Sequence, residues 1–150
     1  GRYVTTGKNG EAVPVTPKPS IPKTDMRWDV FPDSLYWGPK FLYERYRIPI
    51  IYTENGVALT EWKTLEGTVN DDCRIDFVKR YLRALHRAAQ EVEVKGYFYW
   101  SFMDNFEWAE GFSKKFGLIH IDYDTLVRTP KKSAFWYKKV MESNGEEIFK

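Results

Sequence analysis

Two short runs rich in β-branched and aromatic residues, 49–53 and 94–100, bracket one long amphipathic segment, and this order constrains the fold more than any other feature. Neither run alternates cleanly between apolar and polar residues, as a half-exposed antiparallel strand would, so both read as buried strands of a parallel sheet. Between them Ile75, Val78, Leu82, Leu85 and Ala89 recur at intervals of three, four, three and four. That spacing lines one face of a helix, and Asp71 or Asp72 can cap its start. Strand, helix and strand in this sequence predict a parallel α/β unit.

The remaining segments fit around that unit. Four of the eight prolines, Pro14, Pro17, Pro19 and Pro22, fall in the first 22 residues, so residues 1–23 are expected to form a Pro-rich loop. Residues 33–37 suit a turn, after which Pro39 at a first helical position opens a short helix carrying Phe41, Leu42 and Tyr46. Residues 118–121 and 126–128 flank Asp122-Tyr123-Asp124-Thr125 as a hairpin. Thr129-Pro130 then starts a final helix with Ala134, Tyr137 and Met141 facing inward. Two parallel strands cannot make a sheet covered on both faces. A closed (β/α)8 barrel takes about 250 residues, so 150 residues holding two strand-helix units read as a portion of one such barrel domain.

Composition removes several functions. Lys plus Arg exceeds Asp plus Glu by 23 to 21, too even a balance for a chain that must neutralise many phosphates, so no nucleic-acid partner is expected. The single cysteine, Cys73, cannot form an intrachain disulfide, and with His86 and His120 as the only other soft ligands it cannot build a zinc site. No metal or cofactor is expected. Neither a membrane span nor the apolar core of a signal peptide is present, and the expectation is a soluble, cytoplasmic protein without a membrane partner. His86 reads as a partly buried helix residue, His120 as part of the hairpin, and Arg74 as half of a structural ion pair.

Chemistry concentrates where the two strands end. The first runs into Thr53-Glu54-Asn55-Gly56 and the second into Ser101-Phe102-Met103-Asp104-Asn105-Phe106-Glu107-Trp108; in barrels, catalytic groups sit at the C-terminal ends of strands. By itself Asn55-Gly56 reads as a turn, with Glu54 a solvated neighbour. The second turn adds Trp100 and Trp108, two rings suited to the C–H face of a sugar, and Glu107, a carboxylate able to accept hydroxyl hydrogen bonds.

These residues resemble the family 1 glycoside hydrolases, which include β-glucosidases and β-galactosidases. The stretch Ile51-Tyr52-Thr53-Glu54-Asn55-Gly56 is similar to the family's nucleophile motif at the end of barrel strand seven. The stretch from Trp100 to Trp108 is similar to its strand-eight sugar-binding motif. Thr24-Asp25-Met26, Trp28, Pro32, Phe116-Gly117-Leu118, Asp122-Tyr123 and Arg128-Thr129-Pro130-Lys131 extend the resemblance in the family's order. It implies the C-terminal part of a (β/α)8 barrel, about strands seven and eight with their helices. It further implies a retaining β-glycosidase of β-glucosidase type, acting on terminal, non-phosphorylated β-D-glycosides.

By this resemblance Glu54 is the nucleophile, Trp100 stacks beneath the glycone, Glu107 and Trp108 bind its outer hydroxyls, and Phe116 borders the pocket. An acid at position 107 speaks against sugar 6-phosphates, whose charge would be desolvated beside it; Lys114 and Lys115 read as a solvated loop. The family's acid/base Glu belongs to an Asn-Glu-Pro motif on strand four, and no such tripeptide occurs here. The expected partners are therefore a small β-glycoside and a complementary N-terminal barrel portion or another chain, with the isolated fragment inactive. The alternative is a non-catalytic carbohydrate-binding or split or designed barrel fragment.

Overall fold

The structure, a computed structural model that describes residues 4–150, begins with a hairpin where a loop was expected. Strands β1 (Val4–Thr6) and β2 (Ala12–Pro14) pair antiparallel, with Val4 opposite Pro14. The intervening turn is closed by the Gly7 N–H donating to the Glu11 carbonyl at 2.8 Å, and by the Asn9 N–H donating to the Glu11 carboxylate at 2.9 Å. Pro14 is tolerated because it is the last residue of its strand, where a missing N–H interrupts little. Among the described residues no helix forms before residue 34.

Helix α1 (Ser34–Tyr46) starts earlier than the Pro39 signal suggested, and Pro39 is buried inside it. The start is set upstream, by overlapping turns in which the N–H groups of Ser34, Leu35 and Tyr36 donate to the carbonyls of Phe31, Pro32 and Asp33. The carbonyls of residues 31–33, not Pro39, therefore mark the opening. The helix ends at Arg47, which adopts a left-handed conformation (φ 54°) and donates its N–H to Tyr43.

The central unit is as predicted in topology. Strand β3 (Ile50–Asn55), helix α2 (Asp72–Ala89) and strand β4 (Val94–Tyr99) follow in order, and the two strands pair in parallel with Tyr52 opposite Tyr97 and Asn55 opposite Tyr99. Burial differs. Ile51 and Phe98 are 55% and 61% exposed, because the helices cover only one face of a sheet to which this chain contributes two strands. The buried face of α2 is also rotated from the expected one. Phe77, Val78, Tyr81, Ala84, Leu85 and Ala88 are buried, whereas Ile75 and Leu82 are only partly so and Ala89 is exposed. The helix is packed by α1 as well as by the strands, with Leu35 and Val57 joining its core cluster. His86 is exposed on this helix rather than partly buried.

Strands β5 (Ile119–Ile121) and β6 (Arg128–Pro130) form the predicted hairpin, with Ile119 opposite Pro130. Thr129 and Pro130 belong to β6, so the last helix, α3 (Lys132–Glu142), begins after them. Met141 faces out at 63% exposure and Val140 takes the buried position. No helix among the described residues is long and apolar enough to cross a membrane.

A buried ionic network fixes the helices to the loops at the strand ends. Asp71 precedes α2, but its carboxylate accepts from Ser133 of α3 (N–H at 2.8 Å, Oγ at 2.5 Å) and from Arg74 Nε at 2.8 Å. Arg74, fully buried, donates to the carbonyls of Val57, Lys115 and Phe116 and to the Tyr99 hydroxyl and Glu61 carboxylate. Lys131, also fully buried, pairs with Glu61 and with Asp104. Burial pushes the Lys131 ammonium down to about 7 and the Asp104 carboxyl up. Charges removed from water in this way persist only with close partners.

Candidate active site

Glu54 is the penultimate residue of β3, and the backbone just beyond it is held against the end of β4. The Trp100 N–H donates to the Asn55 carbonyl at 3.0 Å, and the Tyr97 hydroxyl donates to Asn55 Oδ1 at 2.9 Å. A Cβ at Gly56 would lie 1.6 Å from the Trp100 carbonyl oxygen, so only glycine allows this approach. The Trp100–Ser101 peptide bond is cis.

The loop leaving β4 is closed on itself by polar contacts. Ser101 Oγ donates to the Met103 carbonyl at 2.8 Å, and Asn105 Nδ2 donates to Ser101 Oγ at 3.0 Å. The buried Asp104 carboxylate accepts the Gly117 N–H at 2.9 Å, and Gly117 lies so close that a Cβ there would be 2.1 Å from the Asp104 nitrogen. The Glu107 N–H donates to the Gly111 carbonyl at 2.7 Å, around the short 3-10 turn Trp108–Glu110. His120 lies beneath this loop, its Nδ1 3.5 Å from Asp104 Oδ2.

A third loop completes the wall. The Asp25 N–H donates to the Ala58 carbonyl at 3.1 Å, Thr60 Oγ1 donates to the Asp25 carboxylate at 2.7 Å, and Lys114 Nζ donates to the Asp25 carbonyl at 3.1 Å. The Trp28 and Phe116 rings meet at 6.2 Å between centroids. The turn around Asp25 is thereby tied to the loops that follow both strands.

Between these loops lies an open cleft of about 870 Å³, and all five residues singled out in the sequence line it: Glu54, Trp100, Glu107, Trp108 and Phe116. They differ in setting. Phe116 is 4% exposed, whereas the Trp108 ring stands out at 83%. Glu54 is exposed and Glu107 partly buried. Neither carboxylate is engaged by a hydrogen bond or ion pair among the described residues, which leaves both free to accept from a ligand. Arg27, Trp28, Asp29 and Asn55 line the same cleft without having been singled out as site residues. Asn55 and Trp28 stood in recognised segments; Arg27 and Asp29 carried no signal, because their placement depends on a turn closed by distant loops. Lys114, read as solvated, anchors that turn. Cys73 is an exposed thiol. No group of three or more His, Cys, Asp or Glu converges to hold a metal ion among the described residues.

Residues 3–146 match the family model described as glycosyl hydrolase family 1. Over 129 residues the chain is 46% identical to β-glucosidase A of Thermotoga maritima, covering 85% of this chain and 29% of that protein. It is 42% identical over 146 residues to a 6-phospho-β-galactosidase of Streptococcus mutans, covering 95% of this chain and 30% of the relative. Its structure superposes on a β-glucosidase from Thermotoga maritima in complex with glucoimidazole with a TM-score of 0.87 at 39% identity, over 96% of this chain and 33% of the other. The chain thus spans about a third of the length of the relatives it matches, and its fold is a part of their (β/α)8 barrel.

Proposed function

This chain belongs to glycosyl hydrolase family 1, and on that premise we propose that it forms the nucleophile-bearing part of a retaining β-glycosidase of β-glucosidase type. The observation that carries the reading is the single cleft at the ends of β3 and β4 that gathers Glu54, Trp100, Glu107, Trp108 and Phe116. Glu54 attacks the anomeric carbon, the bond to the leaving-group oxygen breaks, and a covalent glycosyl-enzyme forms. A second carboxyl group, about 5 to 5.5 Å from the first in retaining enzymes, protonates the departing oxygen. The same group then takes a proton from the water that displaces Glu54. Trp100 supports the apolar face of the glycone, Glu107 and Trp108 bind its outer hydroxyls, and Phe116 borders the pocket.

The family's acid/base tripeptide is missing from the 150 residues, so the second carboxyl group comes from a complementary N-terminal barrel portion or another chain. Hydrolysis by this chain alone is not expected. The names of the glucosidase relatives support a β-glycoside as ligand, and the glucoimidazole complex supports binding of sugar-like molecules. One relative is named for a phosphorylated galactoside; a free carboxylate at Glu107 favours a non-phosphorylated glycone here, since two like charges would be desolvated together.

The test is labelling of the assembled barrel with a 2-deoxy-2-fluoro-β-glucoside carrying a good leaving group, followed by peptide mass spectrometry. Glu54 is the expected site, and Glu54→Gln should abolish both labelling and turnover. Labelling of another carboxylate, or full activity of the Gln variant, overturns the assignment.

A further inference from the structure

Among the described residues that line the cleft, Arg27 is the one cationic side chain. It sits in a turn that leaves it little freedom. The Thr24 N–H donates to the Trp28 carbonyl at 2.9 Å, the Arg27 N–H donates to the Thr24 carbonyl at 2.8 Å, and Thr24 Oγ1 accepts from Met26 and Trp28. An antiparallel bridge between Lys23 and Asp29, with their ion pair at 2.5 Å, closes the base of the turn. Through Asp25 the same turn is tied to the loops after β3 and β4.

At its tip Arg27 takes φ 58°, a left-handed conformation that glycine adopts freely and that a long side chain occupies only at a cost. Its neighbouring acid, Asp29, is already paired with Lys23, and no hydrogen bond or ion pair engages the Arg27 guanidinium among the described residues. An exposed guanidinium with its donors free, carried to the wall of a cleft by a hydrogen-bonded turn, can receive a carboxylate or a phosphate.

We propose that Arg27 binds an anionic group on the leaving-group side of the substrate, making it a specificity-determining residue for β-glycosides with a carboxylate- or phosphate-bearing aglycone. The inference rests on the glycosidase reading of the cleft. The glycone side is furnished by Trp100, Glu107 and Trp108 from the loop after β4, and the unpaired Glu107 carboxylate repels an anion there. Arg27 enters from a different loop.

The experiment uses the barrel assembled from this chain and its complementary portion, with 4-carboxyphenyl β-D-glucoside, its methyl ester, and the 6-phosphate of 4-nitrophenyl β-D-glucoside. The variant is Arg27→Gly, because glycine suits φ 58° and spares the fold. The ratio of kcat/KM for the carboxylate over the ester should fall about tenfold, through KM, as expected for loss of one charge-assisted contact in a solvated cleft. Arg27→Lys should recover part of that ratio, and 0.5 M salt should erode it in the parent.

An unchanged ratio in Arg27→Gly, with the ester still hydrolysed, overturns the proposal. A loss confined to the 6-phosphate substrate also overturns it, because the anion would then lie on the glycone. Should the parent hydrolyse no glucoside, the glycosidase reading fails instead. Tryptophan-fluorescence titration with 4-carboxyphenyl β-D-thioglucoside then decides the inference: about tenfold weaker binding in Arg27→Gly supports it, and equal binding overturns it.

Discussion

Asp71 stands at the N-cap position of α2 yet serves α3, its carboxylate accepting the Ser133 N–H at 2.8 Å and the Ser133 hydroxyl at 2.5 Å. A helix start exposes N–H groups that lack partners within the helix, and here a residue 62 positions away supplies the acceptor. The same carboxylate holds Arg74.

Replacing Asp71 therefore removes a cap and one partner of a fully buried guanidinium at once. Asp71→Ala should destabilise the assembled barrel by about 3 to 5 kcal/mol, the range for breaking a buried pair. Asp71→Asn keeps an acceptor for Ser133 and should cost less. Denaturant unfolding of both variants checks the order; equal stabilities would place the two roles elsewhere.

Gly56 has no room for a methyl group, given the 1.6 Å separation from the Trp100 carbonyl oxygen. Gly56→Ala should push the ends of β3 and β4 apart and shift Glu54 relative to Trp100 within the cleft they both line. A misplacement of about 1 Å can cost on the order of 100-fold in rate. Steady-state kinetics on an aryl glucoside, with circular dichroism as a control for folding, measures this.

Glu107 offers an unpaired carboxylate to the cleft, and its hydrogen bonds to glycone hydroxyls should strengthen as the ring distorts toward the transition state. Glu107→Ala is expected to lower kcat/KM for glucosides by about 10- to 100-fold, corresponding to one hydrogen bond to a charged group. Unaltered efficiency would remove Glu107 from the site.

The exposed strand face carrying Ile51 and Phe98, together with the free edges of a two-stranded parallel sheet, invites pairing with other strands. The isolated 150-residue chain should self-associate with rising concentration, and co-expression with the complementary barrel portion should suppress this. Sedimentation velocity distinguishes the cases; a monomer with a sharp, cooperative melt would contradict the expectation.

The parallel unit and the cleft were legible because both rest on local signals. The strands had compact β-rich runs, the helix had its apolar spacing, and Glu54, Trp100 and Glu107 lay in contiguous motifs at strand ends. The hairpin at Val4–Pro14 was hidden by prolines that stand at and after its last position rather than inside it. The start of α1 is obscured in the sequence because a buried Pro39 imitates an opening proline, while the turns at Phe31, Pro32 and Asp33 set the boundary. Arg27 could not be found from sequence, because its place depends on the Asp25 N–H bond to the Ala58 carbonyl and on the Lys114 ammonium bond to the Asp25 carbonyl. The exposed Met141 and buried Val140 show the same dependence on neighbours, since α3 takes its rotation from the Asp71 cap and the helices beside it.

Arg74 holds the two strand-end loops chiefly through the carbonyls of Val57, Lys115 and Phe116. Main-chain oxygens are present whatever side chain a position carries. Sequence drift at these three positions can therefore leave the clamp untouched, whereas change at Arg74 removes every donor together. Loops anchored in this manner can vary in side-chain chemistry while their spacing stays constant, so the lining of the cleft can change by substitution without loss of the clamp.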